Sequence, residues 1–320
     1  MARYPLKLSY ITKTALWGGH DLSENWGKKS EFDVISESWE LSVRKNERSM
    51  ILNGESEGLT LAEYFEKEGF DCVSPDFSAE KTFPLLIKLI DANDRLSLQV
   101  HPDDDFAGKV ENDVGKTEMW YIVSAKEGAS IVYGLREDIS AEDFKNAVTE
   151  GRTGEAVASV SVKAGESYFI PSGLVHAIGK GILIAEIQQN SDLTYRVYDY
   201  DRVGADGKKR ELHIEKAVAV TKKFTEEEID SIAFSRGKCG EGQLLANCSY
   251  FKVEKICVNG STRRTVGDES FVSLLAIGGE GAIVAGDKRY EIKKGNSYFL
   301  PAGMGEYFIE GDLELIASQI

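Results

Sequence analysis

Short apolar runs, closed by glycine or by a proline and a glycine, recur along almost the whole chain. FPLLIKLID, RLSLQVH, EMWYIVSA, ASIVYG, SYFIP, GILIAEIQQ, YFKVEKICV, SFVSLLAIG, GAIVAG and SYFLP are the clearest. Their length of about 4–9 residues, their β-branched and aromatic content and the turn residues between them predict strands. Helical signals are fewer. Thr60 and Glu63 form a capping box ahead of the amphipathic LAEYFEKE, the hydroxyl and the carboxylate each satisfying a first-turn amide. Ser140 and Asp143 open a similar segment leading into FKNAV, and ELHIEKAVAVTKKF and EEEIDSI are further helix candidates. Many short strands joined by glycine turns predict a mainly β fold of sandwich or barrel type, with the helices peripheral.

The pattern repeats itself. Residues 163–176 read KAGESYFIPSGLVH and residues 293–306 read KKGNSYFLPAGMGE. Upstream, EGASIV at 127–132 is echoed by EGAIV at 280–284. Two related β units are therefore expected. Each unit encodes a strand, a proline-glycine turn and a residue opening the next strand. Proline fits the strand end because it has no N–H to offer a ladder, and glycine permits the reversal. The last position differs: His176 in the first unit, Glu306 in the second. All four histidines, His20, His101, His176 and His213, precede the second unit, so a metal site built on this motif belongs to the first. The expected division is a catalytic lobe with helical additions at 1–235 and a lobe lacking metal ligands at 236–320.

Composition narrows the partners. The 320 residues carry 38 Lys+Arg against 53 Asp+Glu, a net charge of −15. At about 150 residues per domain, that length suggests two domains. The acidic balance disfavours a nucleic-acid partner, which needs a basic face to displace phosphate counterions. An anionic substrate would have to be met by a local cluster of cations. No stretch approaches the ~18 consecutive apolar residues of a membrane span, and the N-terminal residues are too polar for a secretory leader. Cys72, Cys239, Cys248 and Cys257 form no C-x-x-C pair, which argues against a zinc ribbon or a disulfide framework and for reduced thiols in the cytoplasm.

Strand alternation then singles out chemistry. In RLSLQVHP it sets Ser97, Gln99 and His101 on one face and Leu96, Leu98 and Val100 on the other. In GKTEMWYIV, Glu118 leads a strand and Lys116 shares its face; His176 follows the proline-glycine turn. Gln99, His101, Glu118 and His176 make a mixed nitrogen and oxygen set suited to Zn²⁺, with Mn²⁺, Fe²⁺ and Co²⁺ as alternatives. Taken singly, His101 could end a strand and Glu118 could be a surface carboxylate. Together they are polar groups on the inner face of apolar strands, which implies a compensating ion or substrate. His20 and His213 have no such frame and read as exposed or satisfied locally.

These spacings resemble the two motifs of the cupin barrel. The wider set resembles the type I mannose-6-phosphate isomerases (phosphomannose isomerases), especially their shorter bacterial class. The likeness runs over nearly the whole chain: Trp17-Gly18-Gly19, Glu37-Ser38-Trp39-Glu40, PLLIKLID, LSLQVHPDD, GKTEMWYIV, PSGLVHAI and ILIAEIQQNSDLTYRVYDYDR. A cupin motif alone says little about function, because that barrel hosts many chemistries. The resemblance implies two jelly-roll-like cupin β-barrel lobes with a few peripheral helices. It also implies zinc ligands at Gln99, His101, Glu118 and His176. Active-site lysines fall at Lys88 and Lys116, and further acidic and basic residues at Glu186, Asp192 and Arg196. Arg202 stands where the family often has another cation. Two positions depart: Ile178 stands where the family commonly has a tyrosine, and Thr117 where it commonly has a proline between the lysine and the glutamate.

The implied reaction interconverts mannose 6-phosphate and fructose 6-phosphate through an enediolate. Such a site needs a preorganised cation, groups that move one proton between adjacent carbons, and a second cationic pole for the phosphate. Lys116 and Arg196 are the candidate charge stabilisers, and Asp192 or Glu186 the candidate proton shuttle. Lys88, Arg196, Arg202 and the run Lys208-Lys209-Arg210 are the phosphate candidates, although the last also reads as a solvated turn. Trp17 and Trp39 read equally as pocket wall or core. Two other classes compete. A cupin oxygenase would favour more histidines and fewer cations around the metal. A non-catalytic sugar-phosphate binder would not need an intact ligand set.

Overall fold

The computed structural model describes residues 3–204, 207–237 and 243–320, and the fold is mainly β. Three larger sheets carry the architecture, and each strand path is open among the described residues. One is six-stranded and holds Leu85–Ala92, Glu118–Ala125 and Ile182–Gln189 at its centre. One is five-stranded, with Leu98–Val100 lying between His176–Ala177 and Tyr195–Tyr198. The third, seven-stranded, is built from residues 243–319 plus the short strand Leu6–Leu8. That strand pairs antiparallel with Ser297–Leu300, so the third sheet takes in one strand from the other end of the chain.

The burial pattern explains the layering. Leu85–Ala92 and Ile182–Gln189 are buried at every position, as strands covered on both faces must be. One face, with Ile87, Leu89, Met119, Tyr121, Ala185 and Ile187, packs against Phe271, Leu275, Phe299 and Ile316 of the seven-stranded sheet. The opposite face carries Lys88, Trp120 and Glu186 beside Ile90, Ile122 and Ile184, and looks toward the five-stranded sheet. The outer face of that sheet, with Leu98, Val100 and Val175, is covered by Phe144, Ala147, Ala217 and Val220 from two helices. Leu98 and Val100 therefore point into helix packing, which turns Gln99 inward.

The helix over Leu61–Glu68 forms with its capping box complete. ELHIEKAVAVTKKF shortens to a helix at Ile214–Val220, because both flanks are held by tertiary bonds. His213 N–H donates to the Arg196 carbonyl at 2.8 Å, and Lys222 N–H to that of Gly173 at 2.8 Å. The predicted strands SFVSLLAIG and GAIVAG merge into one, Val272–Ala285, through a bulge between Ala276 and Gly278. Gly279 permits the merger: its φ is +74°, and a Cβ there would lie 1.9 Å from the Asp312 carbonyl oxygen. Among the described cysteines, Cys72 and Cys248 are buried and Cys257 is exposed, all as free thiols; Cys239 lies outside the described residues.

The repeat is visible in the pairing register. His176 is opposite Gln99, and Glu306 is opposite Thr265. Ile170 is opposite Glu118, and Leu300 is opposite Val272. Thr265, Val272 and Glu306 thus stand where the first unit has Gln99, Glu118 and His176.

Candidate metal centre and substrate pocket

His101, Glu118 and His176 converge, with one ligand atom of each within 4.8 Å of the others, and all three are buried. Glu118 leads its strand on the inner face. His101 follows Leu98–Val100, and its carbonyl accepts from Gly173 N–H at 2.8 Å, which ties it to the turn that delivers His176. His101 Nδ1 is 2.7 Å from the Leu193 carbonyl oxygen and His176 Nδ1 is 2.8 Å from that of Leu174. A carbonyl only accepts, so each Nδ1 carries the proton and each Nε2 presents a lone pair. His101 Nε2 is 3.2 Å from Glu118 Oε1, and His176 Nε2 is 3.9 Å from Glu118 Oε2. These are acceptors facing acceptors. His101 Nε2, His176 Nε2 and Glu118 Oε1 are buried without an aligned hydrogen bond, although Glu118 Oε1 is within ion-pair distance of Lys116.

The electrostatics fit the same reading. Burial and the nearby Lys116 ammonium press the His101 imidazole down to about 3, and burial lowers His176. Both rings are therefore neutral at physiological pH. Burial would push the Glu118 carboxyl up, but the adjacent Lys116 ammonium overcomes it and holds it well below the usual range. Two neutral imidazoles and a carboxylate, with facing lone pairs, are a donor set for a divalent cation. A tetrahedral ion with bonds of about 2.0–2.2 Å spaces its ligands by roughly 3.3 Å, close to the separations from Glu118. The residues present fit a metal ion. Gln99, between His176 and Arg196 on adjacent strands, is turned toward the same space.

Above this cluster opens a pocket of about 340 Å³. Trp17, Lys88, Gln99, Lys116 and Glu186 line it. Asp192, Arg196 and Arg210 line it as well, while Arg202 is not part of its wall. Lys88 Nζ is 3.2 Å from Glu186 Oε2 and 3.8 Å from Glu37 Oε2, and it sits 5.2 Å from the centre of the Trp39 ring. Trp39 thus packs on Lys88 and holds Glu37 through its indole N–H at 2.7 Å. Burial would lower the Lys88 ammonium, but Glu186 and Glu37 raise it above its ordinary value. Glu186 is pushed up to about 7 by burial and by Glu118, against the pull of Lys88. A cation bound at Glu118 would offset that repulsion and draw Glu186 back toward the ordinary carboxylate range.

Some of the site lies outside the sequence reading. Trp120 Nε1 donates to both Glu118 Oε2 and Glu186 Oε1, each at 3.0 Å, and so joins the carboxylate of the His101–Glu118–His176 cluster to the pocket carboxylate. Its place two residues after Glu118 on the same strand was the available signal. His213, read as locally satisfied, accepts from Arg196 N–H through Nδ1 at 3.2 Å and so fixes the strand that carries Arg196. His20 is exposed. A larger hollow of about 540 Å³ opens beside Glu254 and Arg264 in the seven-stranded sheet. Volume does not select it: among the described residues the one cluster of three potential metal ligands is His101, Glu118 and His176.

A buried cluster of three potential metal ligands beneath a pocket lined by lysine and arginine has the makeup of an enzyme site for a polar, anionic substrate. Two family models match the chain: phosphomannose isomerase type I, catalytic domain, over residues 6–128, and mannose-6-phosphate isomerase, cupin domain, over residues 241–320. The mannose-6-phosphate isomerase ManA of Bacillus subtilis is 38% identical over 100% of both chains. The mannose-6-phosphate isomerase of Streptococcus mutans is 38% identical over 98% of both. A crystal structure of the Bacillus subtilis mannose 6-phosphate isomerase matches with a TM-score of 0.88 at 35% identity, covering 99% of each chain. A putative mannosephosphate isomerase from Archaeoglobus fulgidus shares the fold, with a TM-score of 0.77 at 21% identity. The chain belongs to the type I phosphomannose isomerase family.

Proposed function

We propose that this protein is an aldose–ketose isomerase that interconverts mannose 6-phosphate and fructose 6-phosphate with one bound Zn²⁺, on a fold of two cupin lobes divided near residue 236. The observation that carries the reading is the triad of buried lone pairs on His101, Glu118 and His176, set beneath the Lys88–Glu186 pair. Mn²⁺, Fe²⁺ and Co²⁺ suit the same donors. Gln99 is the fourth proposed ligand. The buried thiols of Cys72 and Cys248 and the acidic charge suit a cytoplasmic enzyme acting on a small metabolite.

When bound, the metal supplies Lewis-acid stabilisation of the oxygens at C1 and C2 or fixes their position. The chain's own residues do the rest. Lys116, beside Glu118, and Arg196 place positive charge where the enediolate oxygens develop. Glu186 is the better candidate than Asp192 to carry the proton between C2 and C1. It is buried, it lines the pocket, and its Oε2 has no aligned hydrogen bond, whereas Asp192 is exposed. Lys88 sets its charge and Trp120 fixes its orientation. Trp17 closes the wall and limits water.

The test is a coupled assay of fructose 6-phosphate formation from mannose 6-phosphate, with and without chelator, beside a metal analysis. Turnover should vanish on chelation and return with added Zn²⁺. His101→Ala and His176→Ala should lose metal and lower kcat/KM by on the order of 10³-fold or more. Full activity in demetallated protein would refute the reading.

A further inference from the structure

Thr117 stands between Lys116 and Glu118 and is 2% exposed. Its carbonyl accepts from Gln189 N–H at 3.1 Å, and its own N–H donates to the side-chain Oε1 of Gln189 at 2.9 Å. The Gln189 carboxamide thus carries the ladder one step past the pairing of Gln188 with Glu118, where the strand register ends. The other end of that carboxamide is held too. Gln189 Nε2 donates to Asp104 Oδ1 at 3.0 Å, and the same oxygen accepts from Gly115 N–H at 2.8 Å. Asp104 Oδ2 accepts from the Tyr250 hydroxyl at 2.9 Å. Tyr250 lies in the turn between Gln243–Asn247 and Lys252–Val266 of the seven-stranded sheet. Cys248 N–H closes that turn on the Phe251 carbonyl at 2.9 Å, which gives Tyr250 a fixed base. Tyr250, Asp104, Gln189 and Thr117 therefore form an unbroken line from the seven-stranded sheet to the peptide that carries Glu118.

We propose that Gln189 is a positioning residue for the metal centre, and that Tyr250 steadies it from the seven-stranded sheet through Asp104. The proposal rests on the metal-dependent isomerase reading above for its effect on turnover, but not for the hydrogen-bond line itself. Strand pairing alone does not hold Lys116 and Thr117, because the register stops at Glu118. Fixing the Thr117 amide fixes the peptide planes on either side of it, and these aim the side chains of Lys116 and Glu118. Lys116 N–H donates to the Pro102 carbonyl at 3.0 Å, so the same short segment is also tied to the residue after His101. A carboxamide suits this task, since it accepts at one end and donates at the other. Burial leaves the Thr117 N–H no water to turn to, and a buried donor without an acceptor is costly. The described residues of the seven-stranded sheet include no cluster of three potential metal ligands, yet through Tyr250 that sheet takes part in the site.

The test compares Gln189→Leu, Tyr250→Phe, their double variant, Asp104→Ala and Asp104→Asn with the parent. Zn²⁺ affinity is read by competition with a chelating dye, and amide exchange of residues 115–118 is followed by mass spectrometry in the metal-free protein. Turnover is measured on the metal-saturated protein. Gln189→Leu should weaken Zn²⁺ binding about tenfold and speed exchange of the Thr117 amide by a similar factor. It should lower kcat about tenfold with KM changed less than about threefold. Tyr250→Phe should move the same quantities in the same direction by about threefold, the worth of one hydrogen bond. The double variant should be no worse than Gln189→Leu, because the two groups act in series. Asp104→Ala should match Gln189→Leu, and Asp104→Asn, which keeps an acceptor for Gly115 and Gln189, should recover most of the loss. A lowered unfolding midpoint with kcat and Zn²⁺ affinity unchanged would mark a merely structural role and overturns the proposal. Additive losses in the double variant overturn it as well. Should Gln189→Leu fail to fold, Tyr250→Phe decides, since its bond lies at the surface: parental affinity, exchange and kcat there overturn the link. If the parent isomerises no hexose phosphate while Zn²⁺ affinity and exchange still change as stated, the isomerase reading falls and this assignment stands.

Discussion

Glu254 occupies, in the seven-stranded sheet, the register position that Lys88 occupies in the six-stranded one. Lys88 is directly opposite Glu186, which is opposite Trp120. Glu254 is directly opposite Ala317, which is opposite Leu274. The duplicated unit has therefore exchanged a buried cation for a buried anion, Glu186 for an alanine and Trp120 for a leucine. Glu254 is neutralised locally by Lys252 and Arg264, each at 2.6 Å. The Lys88–Glu186–Trp120 arrangement is not repeated at these positions.

Glu306, at the position of His176, is exposed and pairs with Arg263 at 2.6 Å. Its replacement by alanine should therefore leave kcat/KM within about twofold of the parent, as expected for a surface ion pair. A large kinetic loss in Glu306→Ala would show that the second unit contributes to catalysis.

Lys88→Met should be costly to stability as well as to activity. It strips the counter-charge from Glu186, and breaking a buried pair in this way costs about 3–5 kcal/mol. The sign with pH follows from the raised carboxyl. Without Lys88, Glu186 rises further above its unfolded value, so its ionisation opposes folding. The loss should be smaller at acid pH, where Glu186 is protonated, and should grow as pH rises through neutrality. Urea unfolding of the metal-free protein across that range measures it; a loss independent of pH would contradict the pairing.

Trp120→Phe keeps an aromatic ring but removes the shared donor to Glu118 and Glu186. Metal affinity should fall by about 10–100-fold, the usual effect of deleting a group that orients a ligand. Competition with a chelating dye would read it directly, and unchanged affinity would deny the indole N–H this role.

Asp199 supplies the opposite pH dependence. Burial would raise its carboxyl, but hydrogen bonds from Arg210 and Arg202 lower it below the ordinary value. It therefore stabilises the fold above the unfolded carboxylate pKa, and the contribution disappears as pH falls through the folded one. Asp199→Asn should lose about 1–2 kcal/mol near pH 7, a figure reduced for the partial exposure of Arg210. The gap between variant and parent should close as the solution is acidified. A gap that widened in acid would contradict the assignment.

The triad was legible because two rules act at once: alternation puts polar groups on one face of an apolar strand, and the proline-glycine turn fixes where His176 begins its own. Lys88 was legible as a charge inside PLLIKLI that had to have a partner. The choice between Arg202 and Arg210 for the pocket wall was not legible. Both sit in a polar stretch near Gly204 and Gly207, and only the chain path around Asp199 separates them. The pairing of Leu6–Leu8 with Ser297–Leu300 was equally hidden. A three-residue strand has no periodicity to read, and its partner lies nearly the full length of the chain away.

That pairing also governs the order of assembly. Leu6, Lys7 and Leu8 are synthesised well before Ser297, Tyr298 and Phe299, which supply their hydrogen-bonding edge. Closing so long a loop is entropically slow. The seam therefore forms only after residue 299 has been made, and bulk crowding Leu6–Leu8 would loosen a sheet otherwise built from residues 243–319.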